Sequence, residues 1–504
     1  MISEADWIST PHIRPDHRGP VSRPYEPFVD PAHARPVIAM LREVAARHPD
    51  RVAIEDDAGA MTYAALMRAV ARVAGKLAPA AGPVGILLPS SAAYAVAVFA
   101  ALAAGRVSVL LDAGYPGART AAIVHATGVD TLLGEADVAA ALHDAAPAPA
   151  LPETYLDLDA PAFVLCTSGS AGAPKAIAHS QRTMLHWART THDALHVRPD
   201  DCVVSLSSPA TLGGFTALLS YPLAGASIRM LDLITSGLGG LTETLRDGKI
   251  TILRSTPSLL RSLAELAEAR GALQGIRVAQ TYGEPLMKTD LAVLRGVLPG
   301  FCLVRSTYGS TEASGLSWFA EGADEYDPHR VASGVLMPDT SAVIVDEDGR
   351  AVPPGMAGEL WIRSRYNALG AWSRDGLAAA GRMFRTGDIA RYHCDGVFVI
   401  LGRRDRMAKI NGQRLEPAEV EAALRRLPEV AGAAVLIRPG EAGAALTAFV
   451  VARAGASPAP PALRRALRSA LPAFMVPARI AVVDAIPLLP GGKTDEAALL
   501  GMLA

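Results

Sequence analysis

The sequence predicts an α/β fold: a large N-terminal domain built of sheets flanked by helices, followed by a small α+β C-terminal domain. Three observations support this. Apolar strand-like runs alternate with alanine-rich helical stretches along most of the chain, the pattern of largely buried sheets. Near Gly402 the pattern changes to a shorter unit of helix, two strands and helix. A chain of 504 residues that is 50% hydrophobic can bury a large core and divide into several domains.

Residues 1–35 read as an arm, loose or lying on the surface, because Pro11, Pro15, Pro20, Pro24, Pro27 and Pro31 are mixed with charge and disfavour regular structure. Folding proper is expected to begin near Arg35, and the large domain to span 36–404. Strands are expected at 84–88, 107–111 and 163–165, and helices at 63–77 and 94–104. In the small domain, 405–504, the early proline and acidic first turn of Glu416-Pro-Ala-Glu suit a helix start, and Arg425-Arg426 suits its end. Strands at 433–437 and 446–452 and a helix at 461–470 complete it.

Forty-eight Lys and Arg against 50 Asp and Glu leave a formal charge of -2, too little to attract nucleic acid or an anionic membrane surface over distance. Cys166, Cys202, Cys302 and Cys394 are scattered, form no CxxC pair and read as buried, reduced thiols. The acidic N-terminus lacks the basic-then-apolar pattern of an export signal, and the apolar run from Val98 to Leu111 is broken by Arg106. The expected partner is a small molecule, and the expected location is the cytoplasm.

After the strand ending at Cys166 comes Thr167-Ser-Gly-Ser-Ala-Gly-Ala-Pro-Lys175. Gly169 and Gly172 let the backbone approach a ligand, the hydroxyls of Thr167, Ser168 and Ser170 can donate to phosphate oxygens, and Lys175 adds a mobile positive charge. The Walker spacing GxxxxGK[ST] is missing. By itself such a loop also fits an ordinary flexible turn. It is not alone, however. Thr307-Tyr-Gly-Ser-Thr-Glu312, Phe384-Arg-Thr-Gly-Asp388, Gly402-Arg-Arg-Asp405 with Lys409-Ile-Asn-Gly412, and Pro487-Leu-Leu-Pro-Gly-Gly-Lys493 follow in order.

From about Arg35 onward these segments resemble the adenylate-forming superfamily of acyl- and aryl-CoA synthetases, peptide-synthetase adenylation domains and luciferases. The resemblance implies a two-step ligase that uses ATP and Mg2+ to convert a small carboxylic acid into an acyl-adenylate, then transfers the acyl group to a thiol. It implies that Tyr308 stacks on adenine, that Thr311 and Glu312 meet the phosphates, Glu312 through the metal, and that Asp388 and Arg403 reach the nucleotide. Lys493 would be the catalytic cation, offsetting charge that builds on the phosphoryl oxygens. Asp405 would be the hinge about which the small domain moves.

Subgroup details lean toward a peptide-synthetase adenylation domain: Gly402-Arg-x-Asp405, Ala408-Lys-Ile-Asn-Gly412, Gly492-Lys-Thr-Asp495 and His48-Pro-Asp-Arg-Val-Ala-Ile54. Glu416-Pro-Ala-Glu-Val-Glu421 is closer to the CoA-ligase form, and Tyr308-Gly-Ser replaces the commoner Tyr-Gly-Pro. The acceptor is expected to be a phosphopantetheine thiol on a separate carrier protein, since no carrier domain follows Lys493 in this sequence. Free CoA is the alternative acceptor, and the resemblance leaves room for a small accessory protein. Ala171 and Ala176, which replace a usual threonine and glycine, leave a third reading: a catalytically silent nucleotide-binding partner in an assembly.

In relatives that activate amino acids an aspartate holds the substrate's α-ammonium, and Leu212 occupies the matching position here. Leucine cannot pair with that charge, so an ordinary α-amino acid is not the expected substrate. The same comparison puts Gly213, Thr216, Arg254, Gln280, Tyr282, Thr307, Gly315 and Leu316 around the acyl pocket. Arg254 could bind a second carboxylate or another anion through its planar fork, or serve a scaffold ion pair.

Overall fold

The structure, a computed structural model, describes residues 2–9, 19–20, 35–77, 82–143, 148–151, 157–168, 174–266, 269–321, 324–404, 408–410, 413–415, 417–440, 443–471, 475–488 and 494–503. A large N-terminal domain precedes a smaller C-terminal one, and three sheets form the large domain. The first runs in the order Gly376–Ala379, Gly370–Ser373, Pro174–Ser180, Pro161–Ser168, Ser108–Asp112, Val84–Leu88, Thr131–Leu133. The second runs Val335–Leu336, Ser314–Phe319, Leu303–Gly309, Val278–Tyr282, Ile252–Ser255, Cys202–Ser205, Ser227–Arg229, Val52–Asp56, Gly59–Thr62. Their central strands are parallel, each reached through a helix, and both carry antiparallel strands at their edges.

A layer of helices lies between these two sheets. Ala92–Ala103 is apolar all round and buried at every position except Ala93, as a helix covered on nearly every side must be. Tyr63–Leu77 instead presents one apolar face, from Tyr63, Leu66, Val70, Val73 and Leu77, at helical spacing. Gln181–Leu195 starts where the Ser180 hydroxyl accepts the Thr183 backbone N-H at 3.1 Å. One core joins residues of both sheets to these helices, including Phe163 against Phe215 with ring centres 4.6 Å apart.

The third sheet is antiparallel, in the order Ile8–Ser9, Thr340–Val345, Gly358–Ser364, Met383–Tyr392, Phe398–Arg403. It is stitched to the second sheet at Gly334, whose N-H donates to the Phe398 carbonyl at 3.1 Å and whose carbonyl accepts from the Phe398 N-H at 2.7 Å. Gly334 has φ +108°, and a Cβ there would come within 2.1 Å of the Ser317 carbonyl oxygen. The C-terminal domain packs helices Pro417–Arg425 and Pro460–Ala470 on the strands Val430–Gly440, Gly443–Ala452 and Arg479–Val483.

Two expectations change. Folding does not wait for Arg35: Ile8 and Ser9 pair with Ala342 and Ser341, the Glu4 carboxylate meets Arg363 at 2.7 Å, and that guanidinium lies 4.3 Å over the Trp7 ring. Composition could not reveal a partner so distant in sequence. Cys166, Cys202 and Cys302 are buried, but Cys394 is exposed, because it precedes the tight turn at Asp395-Gly396. Among the described residues no helix is long and apolar enough to cross a membrane. Gly334→Ala is expected to destabilise the protein by roughly 2–4 kcal/mol, through a strained φ and a backbone clash, and to lower the thermal midpoint; an unchanged midpoint would show that the Ser317 carbonyl yields easily.

Candidate active site

The chemistry-bearing segments converge on the rim formed by the C-terminal ends of the parallel strands, where open α/β sheets bind ligands. Strand Pro161–Ser168 returns as Pro174–Ser180, with Thr167 opposite Lys175 and the Thr167 hydroxyl 3.4 Å from the Lys175 carbonyl oxygen. Gly169, Ser170 and Gly172, and the side chain of Ser168, lie outside the described residues. From the first sheet, the Lys175 Nζ reaches the Glu312 Oε1 of the second at 2.9 Å. The Ser310 hydroxyl fixes the Glu312 turn by accepting the N-H groups of Glu312 and Ala313, both at 3.2 Å. Thr311 lies between them, its backbone beside the fully buried His179, which packs edge-on to Trp187 at 5.4 Å. Burial holds the His179 imidazole down to about 3, only partly offset by the Thr311 backbone.

The second and third sheets meet at Tyr308 and Asp388. The Tyr308 phenol donates to Asp388 Oδ2 at 2.5 Å. Burial, and then the Asp388 charge, push that phenol well above the ordinary tyrosine range, so it stays a donor at neutral pH. Gly387, at φ +72°, turns the strand so that the Asp388 N-H reaches the Thr386 hydroxyl at 3.0 Å. Arg403 is paired across the strands with Asp388, its Nε 3.7 Å from Oδ1. Asp405 and Lys493 lie outside the described residues.

The acyl-side residues gather one step deeper. Helix Leu212–Ser220 begins after Thr211, whose hydroxyl accepts the Gly214 N-H at 3.4 Å, which sets Leu212 in its first turn. A Cβ on Gly213 would come within 2.4 Å of the Tyr282 ring, so glycine is what admits that ring. The Tyr282 hydroxyl donates to Ser207 Oγ at 2.9 Å, Arg254 Nη2 donates to Thr216 Oγ1 at 3.2 Å, and Gln280 Nε2 lies 3.5 Å from Thr307 Oγ1.

Leu316 does not join this group. Gly315, before it, lies against Tyr308: a Cβ there would come within 3.5 Å of the Tyr308 ring and press on Ile362 at 2.7 Å. Leu316 is paired with Tyr308 in the regular part of the ladder and packs in the core with Leu360, Ile362 and Phe398; the register shifts only beyond that pair, at Gly315. Sequence reading missed Arg305, which its strand brings to the Gln280 row. Its one signal was a charged residue in an otherwise strand-like run, two positions before Thr307.

Sheets that bring the strand ends flanking a phosphate-type sequence, a lysine–glutamate pair and a tyrosine–aspartate pair to one rim, followed by a small α+β domain, define the adenylate-forming class, the AMP-forming ligases. The chain belongs to the AMP-binding enzyme family: the family profile matches residues 41–372, and that of the AMP-binding enzyme C-terminal domain matches 419–493. CymA of Salinispora arenicola (strain CNS-205), a probable non-canonical nonribosomal peptide synthetase, is 34% identical over 492 residues, covering 92% of this chain and 6% of that protein. Novobiocin biosynthesis protein H of Streptomyces niveus is 30% identical over 458 residues, covering 83% of this chain and 74% of that protein. A benzoate CoA ligase from Burkholderia xenovorans LB400 shares the fold, with a TM-score of 0.79 at 23% identity, covering 92% of this chain and 100% of that one. The chain spans less than half the length of the peptide synthetases it matches.

His179, and His192, held by burial near 4, are neutral in the folded state and gain a proton on unfolding. Their contribution is complete above the unfolded imidazole value near 6.5 and drains away as pH falls toward 3–4. Urea midpoints should therefore fall between pH 7 and pH 5, and less steeply in His179→Phe; equal slopes in the two proteins would contradict the burial of a neutral imidazole beside Thr311.

Proposed function

We propose that this protein activates a carboxylic acid with ATP, releasing pyrophosphate, and passes the acyl group to the phosphopantetheine thiol of a separate carrier protein. The observation that carries this reading is the meeting of Lys175 with Glu312, and of Tyr308 with Asp388, at one rim. Asp388 has the two carboxylate oxygens needed to accept from both ribose hydroxyls, and Arg403 stands beside it to bind the nucleotide. Tyr308 supplies the ring for adenine. Thr167, Ser168, Gly169, Ser170, Gly172 and Lys175 take the phosphates, with Thr311 beside them.

Glu312 fits a magnesium ion. Among the described residues no group of three or more His, Cys, Asp or Glu is gathered, and an ion that keeps its waters and phosphate oxygens needs only one or two carboxylates. When bound, the ion would neutralise phosphate charge. Lys493 then stabilises the charge on the α-phosphoryl oxygens while the substrate carboxylate forms its new bond to phosphorus and the bond to the pyrophosphate oxygen breaks. In the second step the thiol sulfur attacks the acyl carbon and AMP leaves, after the small domain, 405–504, turns about Asp405. Similarity to peptide synthetases supports the carrier-bound thiol, with CoA as the competing acceptor. Leu212, without charge at the head of its helix, argues against an ordinary α-amino acid.

Carboxylate-dependent exchange of labelled pyrophosphate into ATP tests the first step, and thioester formation on carrier proteins against free CoA tests the second. Lys493→Ala should lower exchange by about 100- to 1,000-fold, the size of losing one transition-state charge partner, while acyl transfer from a supplied adenylate continues. Undiminished exchange in that variant would overturn the role of Lys493, and strong exchange with a simple α-amino acid would overturn the reading of Leu212.

A further inference from the structure

The acyl side of the site carries a charge imbalance that activation of one carboxylate does not use. Arg254 is in register with Gln280, and Gln280 with Arg305, on three adjacent parallel strands, so the three side chains share one face of the sheet. Arg254 is 4% exposed and Arg305 2%. Each guanidinium has found one hydroxyl: Arg254 that of Thr216 at 3.2 Å, Arg305 that of Ser317 at 2.9 Å. The Arg254 head lies 5.4 Å from the Tyr282 ring centre and 5.9 Å from that of Tyr221.

Three of the remaining guanidinium nitrogens are idle. Nε and Nη1 of Arg254 and Nη1 of Arg305 are buried with no hydrogen-bond partner among the described residues, and so is Oε1 of Gln280. Among the described residues neither arginine pairs with a carboxylate. Asp201, within electrostatic reach of Tyr221, is held at two points by Arg277, at 2.7 and 2.6 Å. Burial, with the positive charge of Arg254 adding to it, brings the Arg305 guanidinium down to about 10, so it is still cationic at neutral pH. Two neighbouring buried cations with unused N-H groups are costly unless an anion meets them.

We propose that the acid this protein activates carries a second carboxylate, at the end remote from the one that reacts, and that Arg254 and Arg305 receive it. The planar fork of a guanidinium matches a carboxylate edge to edge, and two such forks on one face of the sheet provide more donors than a neutral polar group accepts. The arginine row lies two residues before Tyr282 and Thr307 on their strands, about 6–7 Å below the rim at strand spacing, which sets the second carboxylate beneath the first. Tyr221 and Tyr282 lie beside the Arg254 head, and Gln280 stands between the two arginines on the middle strand. This inference rests on the adenylation reading above and gives it a substrate class.

Pyrophosphate exchange is measured with aliphatic and aromatic diacids of stepped length, each beside its methyl half-ester and half-amide, for the parent, Arg254→Met and Arg305→Met. The best diacid should exceed its half-ester in kcat/KM by on the order of 100-fold, the scale of a buried charged pair left unmatched. Arg254→Met should erase that preference through KM for the acid while KM for ATP is unchanged. Exchange that runs equally well with half-esters would overturn the inference and leave adenylation standing. Should no acid support exchange, adenylation itself fails, and thermal melting decides the anion site: diacids should raise the midpoint of the parent and not of Arg254→Met, and no shift in the parent overturns it. Without ligand, Arg254→Met should melt no lower than the parent, since it removes an uncompensated charge; a large drop would mark Arg254 as part of the scaffold and overturn the proposal.

Discussion

The rest of the structure depends on bringing two carboxylates, Glu312 and Asp388, from different sheets to one rim without leaving their charges uncompensated. Lys175 reaches across from a third direction to meet Glu312, and Tyr308 donates to Asp388 with Arg403 beside it. The partly exposed Lys175–Glu312 pair contributes about 1 kcal/mol or less to folding. Its significance is positional, since it ties the first sheet to the second at the rim. The Gly334–Phe398 stitch joins the two sheets that carry Tyr308 and Asp388 by a backbone contact away from the rim.

Below the rim the same sheet changes character. Tyr282, Ser207 and Thr307 form an ordinary satisfied polar layer, while the Arg254–Gln280–Arg305 row beneath them does not satisfy itself. A protein interior rarely retains idle cationic donors, because a hydrophobic replacement of similar volume costs less. The contrast between the two layers separates residues that hold the pocket's shape from residues that await a ligand group.

Much of this was legible in the sequence where the physics is local. Apolar spacing at helical period located Tyr63–Leu77, and the apolar run before Thr167 located the strand Pro161–Ser168. The short motifs pointed to Lys175, Tyr308, Glu312, Asp388 and Arg403, which meet at the rim. What the sequence hid was set by register and by distance along the chain. Leu316 faces the core because of how its strand pairs with that of Tyr308, Ile8–Ser9 finds an edge strand near residue 341, and Arg305 reaches the Gln280 row only because the strands pair without offset. None of these follows from composition or periodicity, since each depends on how one strand lies against another.

The account stands on the nucleotide being held at the junction where Tyr308 meets Asp388, and equilibrium binding of AMP against 2′,3′-dideoxy-AMP reads that junction most directly. The parent should bind AMP about 10- to 100-fold more tightly, the range of hydrogen bonds to a charged acceptor, and Asp388→Ala should bind the two nucleotides alike. Equal affinities in the parent would contradict the placement of the ribose, and with it the reading of the rim as the site of adenylate formation.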